Sequence, residues 1–232
     1  MNFRVLSFLL ATLAIIPSVY AYPLRVLAWD DAIAARKLGI LHSKGTEELT
    51  DLDPFRRTKT IEVSPGKDTS AFIQCLDRKS ADGKPLVSPI KIAAGMNRPL
   101  LVILPDDKSP IGFRLIALED DLASFSWGSI RLVNVTGKKL VFKADKSLTA
   151  LPAAWLPVQV NPGGTDRNIQ VQLFHHDQPK PPIYASVWEQ RNYYRNLVFL
   201  MPGSDPSISS IECKFINEDR RVAEAEEKTK SN

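Results

Sequence analysis

The chain is poor in the residues that usually advertise chemistry. It has two cysteines and three histidines among 232 residues. Two cysteines, Cys75 and Cys213, cannot make a disulfide-dense scaffold. Cys213 alternates with Ile211 and Phe215, which turns it toward a core, so buried free thiols are expected and a Cys75–Cys213 bridge is the alternative. Cys-x-x-Cys and His-x-x-x-His spacings are missing, so no zinc framework is present. His175 and His176 are neighbours, and neighbours on a strand point to opposite faces. Their run reads as a strand end entering a proline turn rather than as a metal site.

Gly-x-Ser-x-Gly, Gly-x-Gly-x-x-Gly and Walker-type loops are also lacking. No catalytic residue, metal ligand or cofactor is therefore assigned, and the chain is expected not to be an enzyme. A small hydrolase using His175 or His176 is the residual enzymatic alternative. The acid pairs Asp30-Asp31 and Asp106-Asp107, and the run Glu119-Asp120-Asp121, lie at expected strand ends and turns. They read as solvated loops rather than a glycosidase pair or a calcium site. Asn134-Val135-Thr136 is an N-glycosylation triplet that matters only in a eukaryotic secretory pathway.

Charge of one sign is nowhere concentrated. The net charge is +4, with lysines and arginines scattered among acids, so the basic face that nucleic acid requires is missing. Apolar runs long enough to cross a bilayer are absent after the N-terminus. There, Arg4 precedes the twelve apolar-rich residues Val5 to Ile16, Pro17 breaks the run, and Val19-Tyr20-Ala21 supplies small residues for cleavage. Twelve helical residues span about 18 Å, short of the roughly 30 Å hydrocarbon core. Residues 1–21 are expected to be a cleaved signal peptide and the mature chain to be exported, periplasmic or extracellular, without a transmembrane segment.

A 3.6-residue period sustained over three turns is missing too. What is present is a repeated phrase: "LLVILPDDKSPI" from Leu100 and "LVFLMPGSDPSI" from Leu197. Shifting the chain by 97 residues lays Val63, Pro65 and Gly66 on Val160, Pro162 and Gly163. It also lays Leu76 on Leu173, Pro85 on Pro182, Arg98 on Arg195 and Pro105 on Pro202. After a one-residue slip, "LIALEDD" falls on "CKFINED". The pattern predicts a duplicated unit of about 100 residues.

In the second copy "SIRLVNV", "KLVFKA", "LPVQV", "NIQVQLF", "IYASVWE", "NLVFLM" and "SSIECKFI" read as strands separated by proline- and glycine-rich turns. The fold expected is all-β: two tandem, related, seven-stranded antiparallel β-sandwich domains, over 22–124 and 125–218. One composite β-sandwich built from both repeats is the alternative. "DDAIAARKL" in the first copy is expected to form a helical turn or two. The tail 219–232 balances charges, has one β-branched apolar residue, and is expected to be disordered.

The stretch "GSIRLVNVTG…VNPGG…LVFLMPG", over about 128–202, resembles exported bacterial Ig-like β-sandwich proteins of unknown function. The resemblance implies an envelope or secreted protein and transfers no catalytic residue.

One segment has the composition of a contact patch. "WEQRNYYRN" joins two predicted strands, and its counterpart "KIAAGMNRP" has no aromatic ring. Trp188, Arg191, Tyr193, Tyr194 and Arg195 are the candidate binding residues, with at least one tyrosine expected to be exposed on a projecting hairpin tip. Trp155 and Trp127 are expected to pack at a loop and at the domain junction. The function expected is binding or structural, toward a protein or polysaccharide of the envelope, with a carbohydrate-binding module as an alternative.

Overall fold

The computed structural model describes residues 21–64, 71–178, 180–205 and 210–230. The expected signal peptide lies outside the described residues except for Ala21, as does the Pro65-Gly66 turn.

The chain is all-β. Its first half contains β1 (Tyr22–Ala28), α1 (Asp31–Ala34), β2 (Leu38–His42), β3 (Gly45–Glu48), β4 (Ile61–Val63), β5 (Phe72–Lys79), β6 (Pro85–Pro89), β7 (Pro99–Pro105) and β8 (Phe113–Glu119). The second contains β9 (Ile130–Asn134), β10 (Leu140–Ala144), β11 (Ser147–Leu151), β12 (Pro157–Val160), β13 (Arg167–His175), β14 (Tyr184–Gln190), β15 (Tyr194–Pro202) and β16 (Ile211–Asp219), followed by α2 (Arg220–Lys230).

Strand order repeats. The first half forms sheets β4-β1-β7-β8 and β3-β2-β5-β6; the second forms β12-β9-β15-β16 and β11-β10-β13-β14, each index raised by eight. The repeated phrases are the matching strands β7 and β15, and each ends on its proline, Pro105 and Pro202. Proline lacks the N–H that a ladder needs, which suits it to a strand terminus.

Among the described residues each half has eight strands rather than the seven expected. The strand missed in the second half is β11, an edge strand in which Leu148 is exposed and Leu151 is buried, so "SLTAL" shows no apolar alternation. It pairs with β10 across a turn at Asp145, whose φ is 50°. Asp145 holds that turn by accepting from the Gln170 N–H at 3.0 Å and pairing with Arg167 at 2.7 Å. The sheets are also not purely antiparallel, because β1 runs parallel to β7 and β9 parallel to β15.

Three cores hold these sheets. In the first half, Leu24, Val26, Leu101, Ile103 and Phe113 of one sheet meet Leu38, Ile40 and Ile73 of the other. In the second, Ile130, Leu132, Val198 and Leu200 meet Leu140, Phe142, Ile169, Val171 and Leu173. A third core lies between the halves, where Leu27, Leu100, Val102, Leu104 and Leu118 meet Val133, Leu197, Phe199 and Ile216. Successive side chains on a strand point to opposite faces, so β7 and β15 each serve two cores in alternation. Such strands read as unbroken apolar runs, and this is why "LLVIL" and "LVFL" show no polar alternation. Each large side chain buried there contributes about 1.5–3 kcal/mol.

The strict alternation of "NIQVQLF" predicts Ile169, Val171 and Leu173 buried together with Leu197, Phe199 and Phe215, and the first three do share a core with Phe215. Leu197 and Phe199 are buried, but on the opposite face, in the junction. The 97-residue shift also loses phase in β5, since Leu76 is exposed whereas Leu173 is fully buried.

α1 starts at Asp30, whose carboxylate accepts from the Ile33 N–H at 2.9 Å. The tail over 220–230 is helical, where disorder was expected from composition. Its first turn is tied to the body: Arg220 N–H donates to the Tyr193 carbonyl at 2.9 Å, and Arg220 pairs with Glu224 one turn on at 2.6 Å. No helix among the described residues is long and apolar enough to cross a membrane.

Two candidate clefts flank the start of β15

The five residues expected at one tip are divided by the strand itself. β15 begins at Tyr194, opposite Asp219 of β16, so Tyr194 and Arg195 are ladder residues. β14 and β15 lie in different sheets, so the tip between them is a crossing between layers rather than a hairpin. Asn192 N–H at that crossing donates to Asp166 at 2.8 Å, and Arg191 pairs with Glu189. Both tyrosines are half-buried, edge-to-face with ring centroids 4.8 Å apart, and the Arg221 guanidinium sits 4.1 Å from the Tyr193 ring. The ring expected to be exposed is therefore covered by its neighbour and by α2.

Alternation along β15 sends Tyr194 and Asn196 to one side and Arg195 to the other. On the first side is a cleft of about 300 Å³ between β14 and the β15–β16 pair. Tyr184, Trp188, Tyr194 and Phe215 supply its rings; Ser186, Glu189, Asn196 and Asn217 supply its polar groups. Trp188 is buried in the floor, edge-on to Phe215 at 4.9 Å, with Nε1 donating to the Tyr184 hydroxyl at 3.0 Å. Asn196 is buried and its Oδ1 has no partner among the described residues. An unpaired buried acceptor costs about 1–3 kcal/mol, so native proteins carry few of them.

Arg195 faces the junction. Its Nε donates to Glu218 at 2.5 Å and its Nη1 to the Asp120 carbonyl at 2.9 Å. Asp120 is also held by Arg57 through two parallel bonds of 3.0 and 3.1 Å, and by Arg25, which bonds Glu218 as well. Three guanidiniums thus share two carboxylates. Arg131 lies beside this knot, donating to the Glu119 and Ser124 carbonyls with its guanidinium 4.4 Å from the Phe125 ring.

The electrostatics follow from burial and pairing. Burial alone would raise the pKa of Asp120, but the charges of Arg57, Arg25 and Arg195 outweigh it and hold the group well below the usual carboxylate range. Glu218 is likewise lowered, burial being outweighed by the same three arginines. Above the knot opens a cleft of about 290 Å³, bordered by Arg25, Lys59, Arg98, Arg195 and Arg220 against Glu218 and Glu224. Trp127 forms part of its wall, 5.3 Å from the Arg195 guanidinium. Trp155 is at the junction rather than at a separate loop site, tilted against Trp29 at 5.6 Å and near Phe199 at 6.1 Å.

Sequence reading missed Arg25, Arg57, Lys59, Arg98, Tyr184, Asn196 and Asn217. A signal existed for some of them. Arg25 pairs with Leu100 and Arg131 with Leu197, and Leu197 is Leu100 moved on by the repeat, so both copies place an arginine at the same point of an apolar strand. The match of "LIALEDD" with "CKFINED" likewise lays Asp120 on Glu218.

Cys75 and Cys213 are free thiols in different cores. Burial pushes Cys75 up and pushes Cys213 up to about 11, which leaves both as thiols at neutral pH. His175 ends β13 and forms an isolated bridge with Gln178. Among the described residues no group of three or more His, Cys, Asp or Glu side chains converges as a metal site would require. Compared with known proteins, the chain matches no family model and no curated protein.

Proposed function

We propose that the protein is an exported, non-enzymatic binding protein of the periplasm or extracellular space. In this reading it consists of two tandem copies of one β-sandwich unit fused through a shared core, and the second unit contacts a protein or polysaccharide of the envelope. One observation carries it: among the described residues, rings and amides gather at a cleft beside Trp188 and Tyr194 in the second half. Where β15 and β16 bring Asn196 opposite Asn217, β7 and β8 bring Pro99 opposite Glu119. The Glu119 carboxylate is consumed locally, accepting from the N–H groups of Asn97, Arg98, Asp120 and Asp121. At the equivalent corner of the second half, the buried Asn196 Oδ1 has no partner among the described residues.

A carbohydrate-binding module is the second reading. Aromatic rings beside amides and a hydroxyl suit a ligand that has apolar ring faces and polar edges.

A photo-crosslinking residue at Val187 tests both readings. Val187 is exposed at the rim of the aromatic cleft, whereas Val87 of β6 is exposed at an edge of the first half. With an envelope fraction, position 187 should give one discrete adduct and position 87 none, and adding Tyr194→Ser should abolish it. Protease sensitivity of the adduct indicates a protein partner; glycosidase sensitivity indicates the module. Equal labelling at 87 and 187 would overturn the assignment to the second half.

A further inference from the structure

We infer that the cleft above the arginine knot is a binding site for a phosphoryl group, independent of the aromatic cleft on the other side of β15. Within the knot, Arg25, Arg57 and Arg195 exceed Asp120 and Glu218 by one positive charge. Burial lowers the pKa of Arg195, so the cost of its charge is felt there. At the rim, Arg220 is matched by Glu224, but Arg98 and Lys59 have no carboxylate partner among the described residues. Five cationic side chains and two carboxylates border one opening, a surplus no other described cleft has.

Geometry selects the ligand class. The donors approach from three walls: Arg98 from the start of β7, Lys59 and Thr60 from the segment before β4, and Arg220 from α2. Thr58 adds a hydroxyl whose oxygen already accepts from the Val26 N–H at 2.9 Å, leaving its proton for a ligand. A planar carboxylate uses one guanidinium fork in one plane. A tetrahedral, multiply charged group takes donors from several directions at once. At about 290 Å³ the opening is close to the lower bound of small-molecule sites, room for a phosphoryl group with a short substituent.

Arg98 is the residue to remove, because among the described residues its guanidinium makes no hydrogen bond or ion pair, the residue being held by its backbone N–H to Glu119. The full mature chain, isotope-labelled, is titrated at low ionic strength with inorganic pyrophosphate while the Trp127 indole N–H and the Lys59 and Thr60 amides are followed by NMR. Saturable shifts at these three positions are expected. Arg98→Gln with Lys59→Gln should weaken binding about tenfold or more, the weight of one charge-assisted hydrogen bond. Lys44→Gln, at an exposed site elsewhere, should leave it unchanged. A second arm asks where the phosphate comes from, by sedimentation with phosphatidylcholine vesicles with and without phosphatidylglycerol. Saturation in solution alone assigns a soluble phosphate ester; vesicle binding that the double variant loses assigns a lipid headgroup. Absence of both, or pyrophosphate shifts as large around Lys44 as at Trp127, refutes the site.

Discussion

The two halves share a strand order and differ in what they do with equivalent corners. Asp120 directly follows β8 in the first half, and Glu218 sits at the matching place near the end of β16 in the second. Asp120 is buried, bonded by Arg57, Arg25 and Arg195; Glu218 is partly exposed and bonded by Arg25 and Arg195. One further residue along the comparison, Glu119 caps its own loop while Asn217 borders an open cleft. Identical topology therefore leaves side-chain chemistry free. The first half spends its corner on holding the junction, and the second leaves a concave surface.

The largest effect should come from the knot. Asp120→Asn leaves three guanidiniums around one carboxylate and should cost about 3–5 kcal/mol in urea unfolding. Glu218→Gln, nearer solvent, should cost about 1–3 kcal/mol. Equal costs would mean that the difference in burial has no energetic weight. Acid should act on the same pair. Both carboxylates have folded pKa values below their ordinary 3.8 and 4.5. Their contribution is complete above the ordinary values and is lost as pH falls through the lowered ones. Unfolding followed by circular dichroism should steepen below about pH 4, and Asp120→Asn should flatten that slope.

Next come the two outer cores. Val171→Ala should cost about 1–3 kcal/mol and Ile73→Val about 0.5–1.5 kcal/mol. Because the junction core joins the halves, each change should move one common thermal transition. Two separate transitions, only one shifted by each variant, would show that the halves are uncoupled. The smallest effect belongs to the crossing before β15. Tyr193→Ser removes a half-buried ring beneath Arg221 and should lower the melting temperature by only about 3 °C, measured by calorimetry. A loss several times larger would make that crossing a structural keystone.

Much of the architecture was legible because it is written in local pattern. Prolines at 105 and 202 end strands, glycines turn the chain, and "NIQVQLF" alternates strictly. The repeat predicted that the two halves would share one strand order, and they do. Layering was not legible, since a strand buried on both faces carries no phase that would say which residue faces which core. Leu197 and Phe199 were misplaced for that reason, and β11 went unseen because Leu148 is exposed and Leu151 is the one residue of the strand that is buried, too little to set a phase. The arginine knot was hardest, because Arg25 and Glu218 are 193 residues apart and nothing local in either strand names its partner. Trp188 and Tyr194 were found as neighbours of one cleft, but Arg195 belongs to the other, a consequence of alternation that follows only once the start of β15 is known.

The segment between β8 and β9 gives the junction a further property. Phe125 within it is fully buried in the junction core, and its carbonyl accepts from Arg195 at 3.3 Å. A contact between two separate molecules weakens on dilution, because meeting is bimolecular. Here a short, buried tether makes meeting intramolecular, with an effective concentration set by chain geometry rather than by the amount of protein. Dilution therefore cannot part the halves, and each stays docked at any abundance. Under the proposed duplication this also frees the sequence from self-complementarity. A surface that must fit a second copy of itself can change only in matched pairs, whereas tethered halves can diverge one residue at a time.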